Sequence, residues 1–295
     1  MIKESISDRL LKATFYVIIA IFSVYCLVPF YAVVASSFTT ESEIVKNGYM
    51  LLPKKFSLEA YKLIFQDNTI YRAYGVTMFV TLIGTALSML FTSALSYAIS
   101  SKTVKYRNAI AFYVYFTLLF HGGLVTSYLL ISKYLGMKDS IWVLIIPSMI
   151  SAWNMFLLRN FFATIDDSLS ESAKIDGAND AYILFRIILP ISLPAIATIG
   201  LFYALGYWNN WFSALLYIND PHKYPLQYLI QRIMNNLDFI NQVAPSANVN
   251  IPDYIPPAIT VRLATTIVTI GPIIFLYPFL QKYFVKGLLV GAVKG

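Results

Sequence analysis

The sequence predicts an all-α membrane protein of six transmembrane helices with both termini on the cytoplasmic side. Hydrophobic residues make up 58% of the 295 residues and charged residues only 13%, whereas about a quarter of a water-soluble globule is charged. Six apolar runs meet or exceed the ~18 residues that a spanning helix needs. Open sheet or irregular backbone facing lipid would leave amide groups unpaired at several kcal/mol each, so the spans are expected to be helical.

The first run, 14–36, is longer than the roughly 7–15 residues of a signal-peptide core and no small-residue cleavage site follows it, so it is expected to remain as helix one. It holds Cys26, the only cysteine of the chain, which excludes an intrachain disulfide framework or thiolate metal site. The second run, 73–101, carries Thr77, Thr81, Gly84, Ser88, Thr92 and Ser96 at steps of three and four residues. That is one continuous small-residue face, suited to close helix packing or, alternatively, to a pathway wall. The third run, 109–132, is charge-free except for His121, which precedes Gly122-Gly123. A break there would open backbone and imidazole to a cavity; a hydrogen bond between helices is the other use of such a histidine.

The fourth run, 140–158, contains Trp153-Asn154, and the fifth, 187–219, begins around Pro190 and Pro194 and holds Trp208-Asn209-Asn210-Trp211. Ionisable and amide groups within spans are functional candidates because burying them in lipid is expensive, which makes His121, Asn154, Asn209 and Asn210, with the flanking Trp208 and Trp211, candidates for a substrate pathway. The same aromatics also suit an interfacial belt. The sixth run is 263–281.

Lys and Arg in the connections favour cytoplasmic termini, by a narrow margin that rests on packing of the inner charges close to helix ends. The formal charge of +7 suits an anionic inner leaflet, so membrane lipid is an expected partner. Nucleic acid is not, because the basic residues form no cluster with interleaved aromatics. On this topology the connection 37–72 lies outside as a strap, and 218–257 lies outside as an irregular loop rich in Asn and Pro. Within the latter, 226–237 has the apolar spacing of one amphipathic helical face. The chain reads as one transmembrane domain, 1–295, with an inner loop 159–186.

In that inner loop Ser168-Leu169-Ser170-Glu171 has the form of a capping box that starts a short helix. Gly177 supplies the left-handed residue that ends it, and Asn179-Asp180 caps a second helix. The first helix is expected to present Leu169, Ala173 and Asp176 on one face. Local physics alone is equally content with a capped connector here.

Glu171-Ser172-Ala173, then Gly177 three residues on and Ile187-x-Leu189-Pro190 after nine more, resembles the cytoplasmic EAA loop of permease subunits of ATP-binding-cassette (ABC) importers, with Ser172 where a second alanine is usual. Phe156 to Phe162, Lys174 to Ala178, Trp208 to Trp211 and the tail Tyr283 to Gly295 resemble the carbohydrate branch, similar to the G subunit of maltose importers and the C-type permease of lipoprotein-linked polysaccharide importers. The resemblance covers nearly the whole chain.

It implies a type I ABC importer permease in a bacterial inner membrane, paired as a heterodimer with a second homologous permease. Two copies of a cytoplasmic ABC ATPase and an extracytoplasmic solute-binding protein complete the assembly, which moves an oligosaccharide or sugar derivative by alternating access. Glu171, Ser172, Ala173, Asp176 and Gly177 are then the ATPase-coupling residues, and Lys286, Gly287, Gly291 and Lys294 form a tail that contacts the ATPase. A frayed terminus is the alternative for that tail. The loop 218–257 corresponds to the one that meets the binding protein, or else is a lid on the permease itself.

No phosphate loop of the form G-x-x-x-x-G-K-[ST] occurs, so ATP and Mg are expected on the partner ATPase and no cofactor on this chain. With two histidines, no His-Glu-x-x-His and no intramembrane aspartate pair, neither a catalytic constellation nor a metal site is expected. The remaining rivals are a permease for a non-sugar solute and a stand-alone secondary transporter; the scarcity of carboxylates in the spans argues against the second.

Overall fold

A computed structural model describes residues 6–66, 68–243 and 259–270. Every regular element among them is helical, apart from one isolated bridge between Thr39 and Phe56. The chain divides into two compact units, 1–67 with 234–272, and 68–233 with 273–295.

In the first unit α1 (Ile6–Ser37) is a 32-residue helix with Pro29 inside it. The most apolar stretch of α1 has no buried residue, as suits a helix whose solvent is lipid or another chain. The connection that follows folds into α2 (Glu41–Asn47) and α3 (Glu59–Ile64). Phe38 stacks on Phe56 and Tyr61, with centroids 5.7 and 5.0 Å apart, and Ser37 Oγ lies 2.8 Å from the Tyr61 hydroxyl. The Glu41 carboxylate accepts from the amides of Ile259 and Thr260, both at 2.9 Å, and from Thr260 Oγ1 at 2.8 Å. It thereby satisfies donors that the first turn of the helix Ile259–Ile270 would leave orphaned.

The second unit is built on α4 (Thr69–Ser100). Its small-residue face is the packing face that the sequence predicts: Thr77, Ser88, Thr92 and Ser96 are at most 1% exposed. Gly84 admits the ring of Tyr207, which an added Cβ would meet at 2.8 Å. Small residues let the neighbouring helix approach, and the hydroxyls then bond across it.

Among the described residues only α1 and α4 are single helices long and apolar enough to cross a membrane; three further runs are bent pairs. The third run is α5 (Arg107–Leu119) and α6 (Gly123–Leu129), the latter running on through a π-helical turn, Leu130–Tyr134. The two arms meet at 115°, at the His121-Gly122-Gly123 step, where Gly123 has φ +79°. The fourth run has 3₁₀ turns over Ile141–Leu144 and Ile146–Ser148 and then α7 (Ala152–Phe162), with a 48° bend. Pro147 cannot donate to a continuing ladder, and Ser151 caps the new helix through Asn154 N.

The fifth run departs most from one helix over 187–219. After α8 (Asp167–Ile175) the chain forms α9 (Asp180–Tyr182), a π-helical stretch Ile183–Ile188 and α10 (Leu189–Ile191). It turns 91° at Ser192 into α11 (Leu193–Trp208), because Pro194 in the first turn of α11 lacks the amide that would extend the preceding ladder. A second interruption at Asn209-Asn210 precedes α12 (Phe212–Tyr217). The amphipathic helix expected over 226–237 is α13 (Leu226–Val243), whose first amide donates to Thr77 Oγ1 at 2.8 Å. Most of the sixth run, 263–281, lies outside the described residues.

Candidate functional site: the inner elbow and a polar cavity

The inner loop forms the elbow that the sequence predicts, with one correction at its start. Asp166, not Ser168, caps α8: its Oδ1 accepts from Ser168 N at 2.9 Å, and that bond holds the Asp166 carboxyl below the usual carboxylate range. A carboxylate is a strong cap acceptor and favours the positive end of the helix dipole, so the helix begins before Ser168 can cap it. At the other end Gly177 has φ +84°. Gly177 N donates to Lys174 O at 3.1 Å and Ala178 N to Ala173 O at 2.9 Å, the paired bonds of a Schellman stop. Asn179 Oδ1 then accepts from Tyr182 N at 2.8 Å and opens the second helix.

The faces of α8 are not grouped as the sequence suggests. Ala173 packs against the buried core, whereas Leu169 and Ile175 are exposed, Ile175 by 86%. Glu171, Ser172, Asp176 and Gly177 are exposed as well. The reason is geometric: Ala173 lies three residues beyond Ser170, whose side of the helix faces the end of α4, and Ile175 points away from it.

Two ion pairs fasten this elbow. Lys102, just past α4, meets Asp167 at 2.5 Å, and Lys174 meets Asp180 at 3.0 Å across the turn. Each raises its lysine above the usual ammonium range, Lys102 through the hydrogen bond it donates to Asp167 and Lys174 through the one it donates to Asp180. Glu171 borders a cavity of about 160 Å³ between these charges and the end of α7. Exposed pairs of this kind stabilise little, but they fix the direction in which α8 is presented.

A second cavity, of about 460 Å³, is lined by Asn154 and Asn210 together with Ser151, Phe202, Tyr203 and Tyr207 and their neighbours. Of the six pathway candidates it unites only Asn154 and Asn210. His121 is exposed at the α5–α6 break, Trp208 is buried, and Trp211 packs edge-on against Phe212 at 5.6 Å; none of them lines this space. Asn209 donates to Leu205 O at 2.9 Å in its own helix. Trp153 is 64% exposed while Asn154 is 7% exposed, so adjacent residues that read as a pair face opposite ways.

Four aromatics line the cavity, Phe202, Tyr203, Tyr207 and Phe212, and the two tyrosines among them were not singled out from sequence. They stand one turn apart on α11, and a tyrosine pair at i and i+4 beside Gly206 in an otherwise apolar helix is a signal that was available. Their hydroxyls bridge three elements. Tyr203 OH lies 2.7 Å from Thr92 Oγ1 and accepts from Ser151 N at 2.9 Å; Tyr207 OH lies 2.9 Å from Ser88 Oγ and donates to Ile145 O at 3.2 Å. The broken fourth run leaves backbone groups without a helical partner, and these tyrosines supply one.

On the opposite flank Asp139, in a left-handed conformation with φ +63°, accepts the amides of Asn219 and Asp220, each at 3.0 Å. Those amides hold its carboxyl below the usual range, that of Asp220 foremost. The expected tail residues Lys286, Gly287, Gly291 and Lys294 lie outside the described residues, as does part of the loop 218–257.

Known proteins match the chain over most of its length. It is 44% identical over 288 residues to the polygalacturonan/rhamnogalacturonan transport system permease protein YtcP of Bacillus subtilis, covering 98% of this chain and 99% of that one. It is 28% identical to the arabinooligosaccharides transport system permease protein AraQ of Halalkalibacterium halodurans, over 90% of this chain and 91% of that one. A crystal structure of a bacterial ABC transporter that imports the acidic polysaccharide alginate superposes with a TM-score of 0.80 at 30% identity, covering 96% of this chain and all of the matched one. The profile of one permease family matches residues 2–290, and on that match and these identities the chain belongs to the binding-protein-dependent transport system inner membrane components.

Proposed function

We propose that this chain is one transmembrane subunit of an ATP-driven importer for an oligosaccharide, working by alternating access. Membership of the family makes it a permease of the bacterial inner membrane and implies a partner ATPase and a solute-binding protein. The finer reading is a type I arrangement of six spans in one domain, 1–295, with cytoplasmic termini, paired with a second homologous permease and two copies of the ATPase. ATP and Mg belong to the ATPase, and this chain carries no cofactor.

The observation that carries the coupling role is the elbow: an exposed short helix, stopped at a left-handed glycine and pinned to α4 by Lys102 and Asp167. Glu171 and Gly177, with Ser172, Ala173 and Asp176, would dock this helix on the ATPase, and the tail 286–294 would add a second contact. Movement of the docked helix is passed to α4 and to the bent fifth run. Asn154 and Asn210 then belong to the substrate route, whereas His121, Trp208, Asn209 and Trp211 have packing or interfacial roles. The oligosaccharide class rests on the names of the relatives, which specify polygalacturonan and rhamnogalacturonan, arabinooligosaccharides and the acidic polysaccharide alginate.

Reconstitution tests the reading. The four-component complex in liposomes, supplied with its binding protein, is expected to hydrolyse ATP faster and to take up an oligosaccharide from a panel. Glu171→Lys should abolish that stimulation while leaving the permease in the membrane. Normal uptake by the variant would remove the docking assignment, and ATP-independent uptake driven by an ion gradient would favour a secondary transporter.

A further inference from the structure

Asn154 is 93% buried by the complement of its 7% exposure, yet among the described residues its side-chain amide makes no hydrogen bond; only its backbone amide does, to Ser151 Oγ at 3.4 Å. Buried carboxamides are nearly always bonded, because leaving one unpaired costs its full desolvation. Nor is the amide sealed among apolar atoms as the hydroxyls of Thr81 and Ser192 are. It therefore opens on the 460 Å³ cavity that the residue lines, a volume within the roughly 300–1,000 Å³ of small-molecule sites.

The rest of the wall has a consistent chemistry. Phe202 and Phe212, 43% and 46% exposed, offer aromatic faces to the C–H side of a pyranose ring. Asn210 spends its carbonyl on Ser213 N at 3.2 Å, which leaves its NH₂ group to donate. Among the described residues no Asp, Glu, Lys or Arg lines the space. An acidic lining would repel a uronate, and a lysine or arginine would hold it; a route must bind its cargo well enough to admit it and weakly enough to release it. Neutral N–H donors meet both conditions for an anion.

We propose that the Asn154 carboxamide is a hydrogen-bonding station for successive pyranose units of a uronate-containing oligosaccharide, within a cavity whose uncharged wall lets the anion pass. The inference rests on the import function proposed above and adds the acidic substrate class and the residue that reads it. It accords with relatives whose names specify polygalacturonan and the acidic polysaccharide alginate. An N–H of the amide serves a hydroxyl or carboxylate oxygen, and its C=O accepts from a neighbouring sugar hydroxyl.

The test uses the full importer complex in liposomes with its binding protein, and two labelled probes, trigalacturonate and maltotriose. Wild type is expected to take up trigalacturonate. Asn154→Leu should lower uptake at limiting trigalacturonate about tenfold, the loss of one hydrogen-bonding group, with co-purification of the second permease unchanged. Asn154→Asp, equal in size but anionic and unable to donate, should fall further below wild type than Asn154→Leu while co-purifying with the second permease to the wild-type extent, a combination that a purely structural role would not produce; Asn154→Gln should recover part of the loss. Unchanged uptake by Asn154→Leu, loss of the second permease from that variant, or equal uptake by Asn154→Asp and Asn154→Leu would each overturn the assignment. Wild-type uptake of maltotriose but not trigalacturonate would overturn the acidic class and leave oligosaccharide import standing; uptake of no saccharide at all would overturn the import function itself.

Discussion

Gly84 of α4 lies directly beneath the ring of Tyr207, so close that a Cβ at position 84 would stand 2.8 Å from two ring carbons. The ring has little freedom to withdraw, because its hydroxyl is held by Ser88 at 2.9 Å and by Ile145 O at 3.2 Å. Gly84→Val is therefore expected to destabilise the α4–α11 packing by about 1–3 kcal/mol, the usual cost of overpacking. Thermal unfolding in detergent measures it. Tyr207→Leu, which removes the ring, should make the effect of Gly84→Val smaller in the double variant than in the single one, since contacting sites are not additive.

Gly177 differs from Gly84 in kind. Nothing lies within 4 Å of where its Cβ would be, and the constraint is the φ of +84° alone. Gly177→Val should cost about 1–2 kcal/mol through the left-handed backbone, fray the end of α8 and lower the uptake obtained per ATP hydrolysed. Gly177→Asn, which tolerates that region, should keep most of the coupling. Comparable loss in both variants would point instead to close approach of a partner at this position.

These two glycines also mark what the sequence can and cannot disclose. The face of α4 was legible because threonines, serines and a glycine recurring every three to four residues suit close packing with hydroxyls bonded across the contact, ahead of the alternative of a pathway wall. Gly177 was legible because a glycine beyond a short polar helix has a known stop geometry. The bends were only half legible. Hydropathy counts apolar content and is blind to direction, so the run through Ser192 read as one helix although the chain turns 91° there. The cavity was less legible still, since adjacency in sequence paired Trp153 with Asn154, whereas on a helix neighbours point about 100° apart. Tyr203 and Tyr207 escaped notice because their role is to satisfy Ser151 N and Ile145 O, groups freed by a break that hydropathy does not reveal.

Asp139 predicts a response to acid. Its carboxyl is held below the usual range by the amides of Asp220 and Asn219, so the folded state binds this proton less readily than the unfolded chain. Its contribution to stability is present above the unfolded carboxylate pKa of about 3.9 and is lost as pH falls through the lower folded value. Asp139→Asn, which keeps an acceptor and tolerates φ +63°, should fold at neutral pH with a flatter acid limb between about pH 5 and 2. Melting temperature against pH in detergent reads it; an unchanged limb would assign the acid response to other carboxylates.

Tyr203 offers the cleanest separation of hydrogen bonding from bulk. Tyr203→Phe keeps the ring in place and removes one oxygen, which leaves Thr92 Oγ1, itself fully buried, and Ser151 N without the partners they have at 2.7 and 2.9 Å. Leaving buried polar groups unpaired costs about 1–3 kcal/mol. The expected result is a lower melting temperature that Thr92→Val partly restores, because replacing both members of a buried pair by apolar groups of similar shape is nearly neutral. Ser151 N has no such remedy, so restoration should be incomplete. Full restoration would show that the bond to α4, and not the one to the break before α7, carries the stabilisation.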